Sequence, residues 1–374
     1  MKRVHYPSLF CLTSALMLVL GTHHAEAFVC KGDDYLSDET ISGTTYPSVE
    51  VASETLKVTV GESLLLTANA TVDTQKGGQP SFYWCALEGN LEPVSSDFSS
   101  VNFIAPFQQG EVKLAVHLRD GLGYVDIKTF FINVVANNVE CQLYAVHDEG
   151  RNHSLFFTID VLDNFDVKLL GTMYHKHDIE SLAIHPSNNQ LFAAAGKDGL
   201  EPGYLYAVNA NTGAISPIGD TGFRDINGLS FKPDDGTLWG WTKGDGLIQI
   251  DIATAKGVLE LPYKGAIEDI TWNNAGTILY GVMDNTFLAY DNQTKTAKVL
   301  DCTVTGGEIE ALEMMPGDAD NKLLFSMHND NTLSIRSINV DSCEQAEVNI
   351  STALEGINLN DVEGIALPKE ACTH

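Results

Sequence analysis

The residues in this chain best suited to chemistry are carboxylates that recur at one place in a repeated element. The element occurs five times, as Asp178-Ile179-Glu180-Ser181-Leu182, Asp225-Ile226-Asn227-Gly228-Leu229, Ala266-Ile267-Glu268-Asp269-Ile270, Glu308-Ile309-Glu310-Ala311-Leu312 and Asp361-Val362-Glu363-Gly364-Ile365. Its third position supplies Glu180, Asn227, Glu268, Glu310 and Glu363. Brought together, four carboxylates and one amide repel unless protons or a cation neutralise them. Their hard oxygen donors suit a divalent ion such as Ca2+, which would be the one cofactor the sequence suggests. The competing reading has each glutamate bonding backbone amides at a strand start, away from its counterparts. Spacing alone does not choose a direction for the side chains.

Other chemical signals are weaker. Asp318-Ala319-Asp320-Asn321 has the acidic start of a calcium loop but lacks the remainder of an EF-hand, so a solvated hairpin is the simpler reading. His175 and His177, read as lying on one strand face, have the donor type for zinc but no recognisable third ligand. Asp178, Glu180, Glu268, Asp269, Glu308 and Glu310 offer carboxylate pairs of the kind glycoside hydrolysis uses, although so acidic a chain brings such pairs together by chance. No nucleophile elbow, P-loop or HExxH helix is present, and no catalytic residue is identified.

The elements that must position these groups are strands. A second landmark, leucine-aromatic-small, also occurs five times: Leu143-Tyr144-Ala145, Leu191-Phe192-Ala193, Leu238-Trp239-Gly240, Leu279-Tyr280-Gly281 and Leu324-Phe325-Ser326. A third is an apolar run closing on Asp160, Asn209, Asp251, Asp291 or Asn339, with a short strand after it. Four strands per unit at a period of roughly 40 to 45 residues predict a β-propeller, and five copies predict five blades. The first landmark is missing before Leu143 and stands alone at Asp361. The last strand is therefore expected to complete the blade begun by residues 141–171, which spares the ring an open edge.

Upstream, residues 41–135 alternate in period two, with a tryptophan in the third of six or seven short runs, as a β-sandwich does. Val60-Gly61-Glu62-Ser63, Phe82-Tyr83-Trp84, Phe103-Ile104-Ala105-Pro106 and Arg119-Asp120-Gly121-Leu122-Gly123 resemble the Ig-like PKD or REJ modules of secreted and surface proteins. The resemblance implies a spacer or adhesion unit without chemistry of its own. The expected fold class is all-β: a signal peptide at 1–27, an Ig-like sandwich at 28–140 and, at 141–374, a five-bladed propeller closed by its C-terminal strand.

Lys2 and Arg3, the apolar run Leu9 to Leu20 and Ala25-Glu26-Ala27 form the signal-peptide pattern, so the mature protein is expected to be secreted, periplasmic or extracellular. No later run is long and apolar enough for a membrane anchor. In an oxidising compartment the six remaining cysteines read as disulfides. The ring order suggests Cys141 with Cys372 and Cys302 with Cys343, leaving Cys30 for Cys85. Asn69, Asn152, Asn292 and Asn349 match the glycosylation sequon.

A formal charge of -28 argues against nucleic acid and anionic lipid as partners and for cations, neutral glycans or proteins. The sequence therefore favours an exported binding or interaction protein over an enzyme. The acidic ring resembles that of five-bladed hydrolases, glycosidases or calcium-dependent nucleotidases, and a surface or matrix component is the third class.

Overall fold

The computed structural model describes residues 47–374, except 53–55, 73–78, 122–124, 151, 162–164, 318–320, 329–332, 349, 351–356, 370 and 373–374. The signal segment, Cys30, Asp318, Asp320 and Asn349 lie outside the described residues. Within them the chain is all-β: 28 strands and no helix, arranged as seven four-stranded sheets.

Two of these sheets are built from residues 48–135. One contains Ser48–Ala52, Ser63–Thr71, Asn90–Pro93 and Ser100–Ile104; the other contains Lys57–Thr59, Ser81–Ala86, Gly110–Arg119 and Val125–Val135. Alternation does the sorting. In Gly110–Arg119, Val112, Leu114, Val116 and Leu118 are buried while their neighbours are less so. The buried set joins Val49, Leu66, Phe103 and Ile132 in one core. Trp84 lies in that core, and its indole N–H donates to the carbonyl of Phe98 at 2.8 Å. A buried indole needs such an acceptor.

The other five sheets each contain four consecutive antiparallel strands, with one exception at the seam. There Val362–Ala366 lies beside Gln142–Asp148, Ile365 opposite Ala145, and completes the sheet that continues through Ser154–Asp160 and Val167–Tyr174. The first strands of the five sheets touch in a closed cycle: Val362–Ala366, Ile179–Ile184, Ile226–Phe231, Ile270–Trp272, Glu308–Met314 and back to Val362–Ala366. The result is a propeller-like ring.

The landmarks have local physical reasons. The leucine-aromatic-small triplets lie in the second strands, where Leu191, Phe192, Leu279, Tyr280 and Phe325 are buried between sheets. The Asp or Asn closing the third strand turns the chain. Asn209 accepts the N–H groups of Asn211 and Thr212 at 3.0 Å each, Asp251 that of Ala253 at 2.8 Å, and Asn339 those of Asp341 and Ser342 at 3.0 Å each. These are Asx turns leading into the outer strand, and they are structural.

Cys141 is bonded to Cys372 and Cys302 to Cys343. Cys85 is also disulfide-bonded, and its expected partner, Cys30, is outside the described residues. Residues 107–109 and Asn137 meet the ring near the turn at residues 185–190. Gln109 Nε2 donates to Ser187 O at 2.7 Å, Asn137 Nδ2 donates to Gln190 Oε1 at 3.0 Å, and Phe107 stacks edge-on to Phe192 at 5.3 Å.

Candidate functional site

The third position of the recurring element is set apart by a break in strand pairing. Register shifts fall between Ile179 and Ser181, Ile226 and Gly228, Ile309 and Leu312, and Val362 and Gly364. A residue inserted in one strand of a ladder leaves the two-sided alternation, and its side chain is re-aimed. Glu180, Asn227, Glu310 and Glu363 fall at these breaks. Glu268 lies just ahead of its strand, with its N–H bonded to Val282 O at 2.9 Å. Small residues follow because the inner strands crowd: a Cβ on Gly364 would sit 2.9 Å from the backbone N of Leu182.

The structure brings these groups together at one end of the ring. Asn227 Nδ2 donates to Glu180 Oε2 at 3.4 Å. Lys243 Nζ lies 2.6 Å from Glu268 Oε2, and Lys197 Nζ lies 3.1 Å from Asp225 Oδ2. His328 Nδ1 is 2.7 Å from Asp361 Oδ1 and 3.8 Å from Glu310 Oε1. Two trios, Glu310 with His328 and Asp361, and Asp148 with Asp361 and Glu363, each have potential ligand atoms within 4.8 Å of one another. The ring is asymmetric in charge. Lys243 pairs with Glu268, whereas among the described residues no lysine or arginine is paired with Glu363 or Asp361, and Asp361 has His328 beside it.

The electrostatic consequence is a set of carboxyls that hold protons unusually well. Burial, then Asp178, pushes the Glu180 carboxyl up to about 8 from 4.5, against the pull of Lys243. Burial, then Glu268 and Asp361, pushes Glu310 up to about 7. Burial also raises Glu363 well above the usual carboxylate range, helped by Glu180, Glu310, Asp361 and Asp148. Asp148 is raised by burial and by Asp361 and Asp178. For Lys243, burial works against the charge, but the bond to Glu268 and its other acidic neighbours outweigh it and raise the pKa. Each shift has the sign expected when carboxylates crowd with too few cations. Asp148, Asp361 and Glu363 together offer hard oxygen donors that fit a Ca2+ ion, with water completing the six to eight oxygens it takes.

Other residues singled out in the sequence have different surroundings. Asp269 is fully buried and accepts the N–H groups of Ile270 at 2.7 Å and Leu312 at 2.6 Å. It stitches two inner strands together. Asp178 is buried, accepting from Asn152 Nδ2 and, at 2.7 Å, from the N–H of Asp198. Glu308 is exposed. His175 and His177 do not share a strand face: the strand ends at Tyr174, and the chain turns through Lys176 at φ 60°. Sequence reasoning passed over Asp148, Lys243 and His328. They lie five, five and four residues after the leucine of the second landmark, and each directly follows the residue paired with the apolar second position of an element: His147 with Val362, Thr242 with Ile226 and Met327 with Ile309.

A separate cleft of about 530 Å3 lies at the other end of the inner strands, lined by Phe107, Gln109, His185, Pro186, Asp234 and Ile252 among others. It contains none of the recurring carboxylates. No helix among the described residues is long and apolar enough to cross a membrane.

No family model matches the chain, and no curated protein matches it. Among solved structures it is similar to a structural genomics protein of unknown function from Bacteroides thetaiotaomicron, at 11% identity and a TM-score of 0.41, covering 89% of this chain and 95% of that one. It is also similar to TolB from Acinetobacter baumannii, at 13% identity and a TM-score of 0.41, covering 73% and 70%. An auxiliary nutrient binding protein from Bacteroides ovatus gives 9% identity and a TM-score of 0.36, covering 86% and 91%. All three likenesses are too distant to bear on function.

Proposed function

We propose that the chain is an exported binding protein in which an Ig-like sandwich, residues 28–140, precedes a five-bladed β-propeller, residues 141–374, and the acidic mouth of the propeller receives a cationic ligand. The observation that carries the reading is the meeting of Glu180, Asn227, Glu310 and Glu363 at one end of the ring, with three of them proton-retaining carboxyls. Five meander sheets in a closed cycle support the blade count, and two further sheets around their own core support the sandwich. Disulfides support export to an oxidising compartment. A divalent ion of the Ca2+ kind is the ligand whose chemistry best matches the donors. A glycan or protein partner would meet the loops around the same mouth.

Isothermal titration calorimetry with CaCl2 tests this. The wild-type protein is expected to bind, and a Glu180→Gln/Glu363→Gln variant with an unchanged circular dichroism spectrum is expected to lose the heat. An athermal, non-binding wild type at several temperatures would overturn the reading.

One observation favours a hydrolase as the second reading. Glu180 at about 8 and Glu310 at about 7 retain protons near neutrality, as a general acid must. Turnover of aryl glycosides or nucleoside diphosphates that is lost in Glu310→Gln would support it. No turnover across both substrate sets would leave the binding reading alone.

A further inference from the structure

One sheet of the 48–135 segment turns an apolar face outward and has a buried residue in the middle of that face. In the sheet of Lys57–Thr59, Ser81–Ala86, Gly110–Arg119 and Val125–Val135, the side chains of Trp84, Leu114, Val116 and Ile132 fill the core. The alternate positions face outward and bring together Tyr83, Leu87, Val125, Ile127 and Phe131, all exposed. Tyr83 is in register with His117, and His117 with Ile127, and the two rings of the first pair meet edge-on at 5.7 Å. Cys85 belongs to this outward set, because its neighbours Trp84 and Ala86 both point into the core and it pairs with Ala115. It is nonetheless only 5% exposed, where Tyr83 is 47% and Phe131 is 52%. An apolar patch of this kind on a sheet is the mark of a surface that something covers.

The cysteine indicates what covers it. Cys85 is disulfide-bonded, and with Cys141 joined to Cys372 and Cys302 to Cys343, Cys30 is the partner left to it downstream of the leader. The chain enters the described residues at the buried Pro47, and Val49 N–H donates to Asp126 Oδ2 at 2.7 Å, beside the first residues of Val125–Val135. Thr129, in the row of Cys85 and Ala115, is three residues along that strand from Asp126. The straight path from Cys85 to the entry point is therefore roughly 15–20 Å at ordinary strand spacings. The 16 residues 31–46 span up to about 50 Å when extended, enough to cross the face and turn back to Pro47. Charge agrees with this route. The outward positions of Gly110–Arg119 are Glu111, Lys113, Ala115, His117 and Arg119, whereas residues 31–46 carry Asp33, Asp34, Asp38 and Glu39 against Lys31.

We infer that residues 28–46 form a strap across the outer face of this sheet, tied by a Cys30–Cys85 disulfide, with Phe28, Val29, Tyr35, Leu36 and Ile41 supplying the apolar cover. The tether makes the contact intramolecular, at an effective concentration of roughly millimolar order, so modest side-chain complementarity suffices to hold it. The acidic residues of the strap lie toward Lys113 and Arg119. The face is then closed to other proteins until the strap is released.

Peptide mapping, hydrogen exchange and hydroxyl-radical labelling of the mature, oxidised chain test it. Non-reducing digestion is expected to yield a peptide pair joined through Cys30 and Cys85; a free Cys30 thiol, or an intermolecular bond at either cysteine, overturns the strap. Amides across 31–44 are expected to exchange about tenfold or more slowly than in the free peptide of the same sequence, and exchange at the free-peptide rate overturns it. Labelling of Tyr83, Leu87 and Phe131 is expected to rise in a chain lacking 28–44 and carrying Cys85→Ser, while Tyr263, exposed on the ring, is labelled equally in both. Labelling unchanged by the deletion, or protection of the intact chain that fades on dilution and so comes from a second copy, overturns the strap. If the shortened chain does not fold, Ile127→Ser/Phe131→Ser, at two exposed positions, takes its place. It is expected to bring exchange across 31–44 to the free-peptide rate, and protection retained in full overturns the strap.

Discussion

A carboxyl whose pKa rises on folding stabilises the protein in the opposite pH direction from an ion-paired one. Glu180 moves from 4.5 to about 8 and Glu310 to about 7. Between those values the folded chain holds protons that the unfolded chain has lost, so stability is fullest below about pH 4.5 and falls as pH rises toward 8. Glu180→Gln removes the Glu180 share of that dependence. Without divalent ions its melting temperature at pH 8 is expected to exceed that of wild type by roughly 2–4 °C, and the gap to close below pH 4.5, as followed by scanning calorimetry. Cation binding must displace the same protons. Apparent Ca2+ affinity is therefore expected to climb from pH 6 to 8, with proton release visible as a difference in titration heat between buffers of unlike ionisation enthalpy. The recurrence of Glu180, Glu268, Glu310 and Glu363 was readable from sequence because type and place repeat together. Asp148, Lys243 and His328 were not, because their common place is set by pairing with the first strand rather than by a fixed spacing, and acid, ammonium and imidazole alternate in it. The balance of charge at the mouth depends on those three.

At the level of the strand, the decisive feature is the break in pairing that falls on the third position. Landmark spacing located the inner strands, and hydrophobic alternation located the sandwich. Neither reports whether a ladder gains a residue, because a bulge belongs to the register between two strands rather than to the composition of one. That is why the direction of the glutamates was open in the sequence. Asp269 shows the converse. Read from sequence it is one more carboxylate for hydrolysis; in the structure both its oxygens accept backbone N–H groups, from Ile270 and from Leu312 of the adjacent sheet. Asp269→Ala strands these two buried donors and is expected to cost about 2–6 kcal/mol in urea denaturation, at about 1–3 kcal/mol for each unsatisfied group. Asp269→Asn retains one acceptor oxygen and is expected to cost less. A cost of the same size for both would mean that the charge, not the acceptors, holds the strands.

For the molecule as a whole, the formal charge of -28 is spread along the chain, 15 acidic against 6 basic residues in 28–140 and 34 against 14 in 141–374. Net charge therefore describes solubility, and only the carboxylates placed in register with the sheets define a site. The ring's weak point is its seam, where a strand from the end of the chain must find one from residues 142–148. The Cys141–Cys372 bond spans 231 residues and the Cys302–Cys343 bond spans 41. Chain entropy alone gives about 5 and about 4 kcal/mol for loops of these sizes, so the two should matter almost equally to global stability. Their local effects should differ. Cys141→Ser/Cys372→Ser is expected to speed hydrogen exchange at both 142–148 and 362–366, because an unlatched closing strand opens without the rest of the ring. Cys302→Ser/Cys343→Ser is expected to leave those two segments near wild-type rates and to speed exchange at 296–303 and 335–348. Equal acceleration at 362–366 in both double variants would show that the Cys141–Cys372 bond is not a local latch on the closing strand.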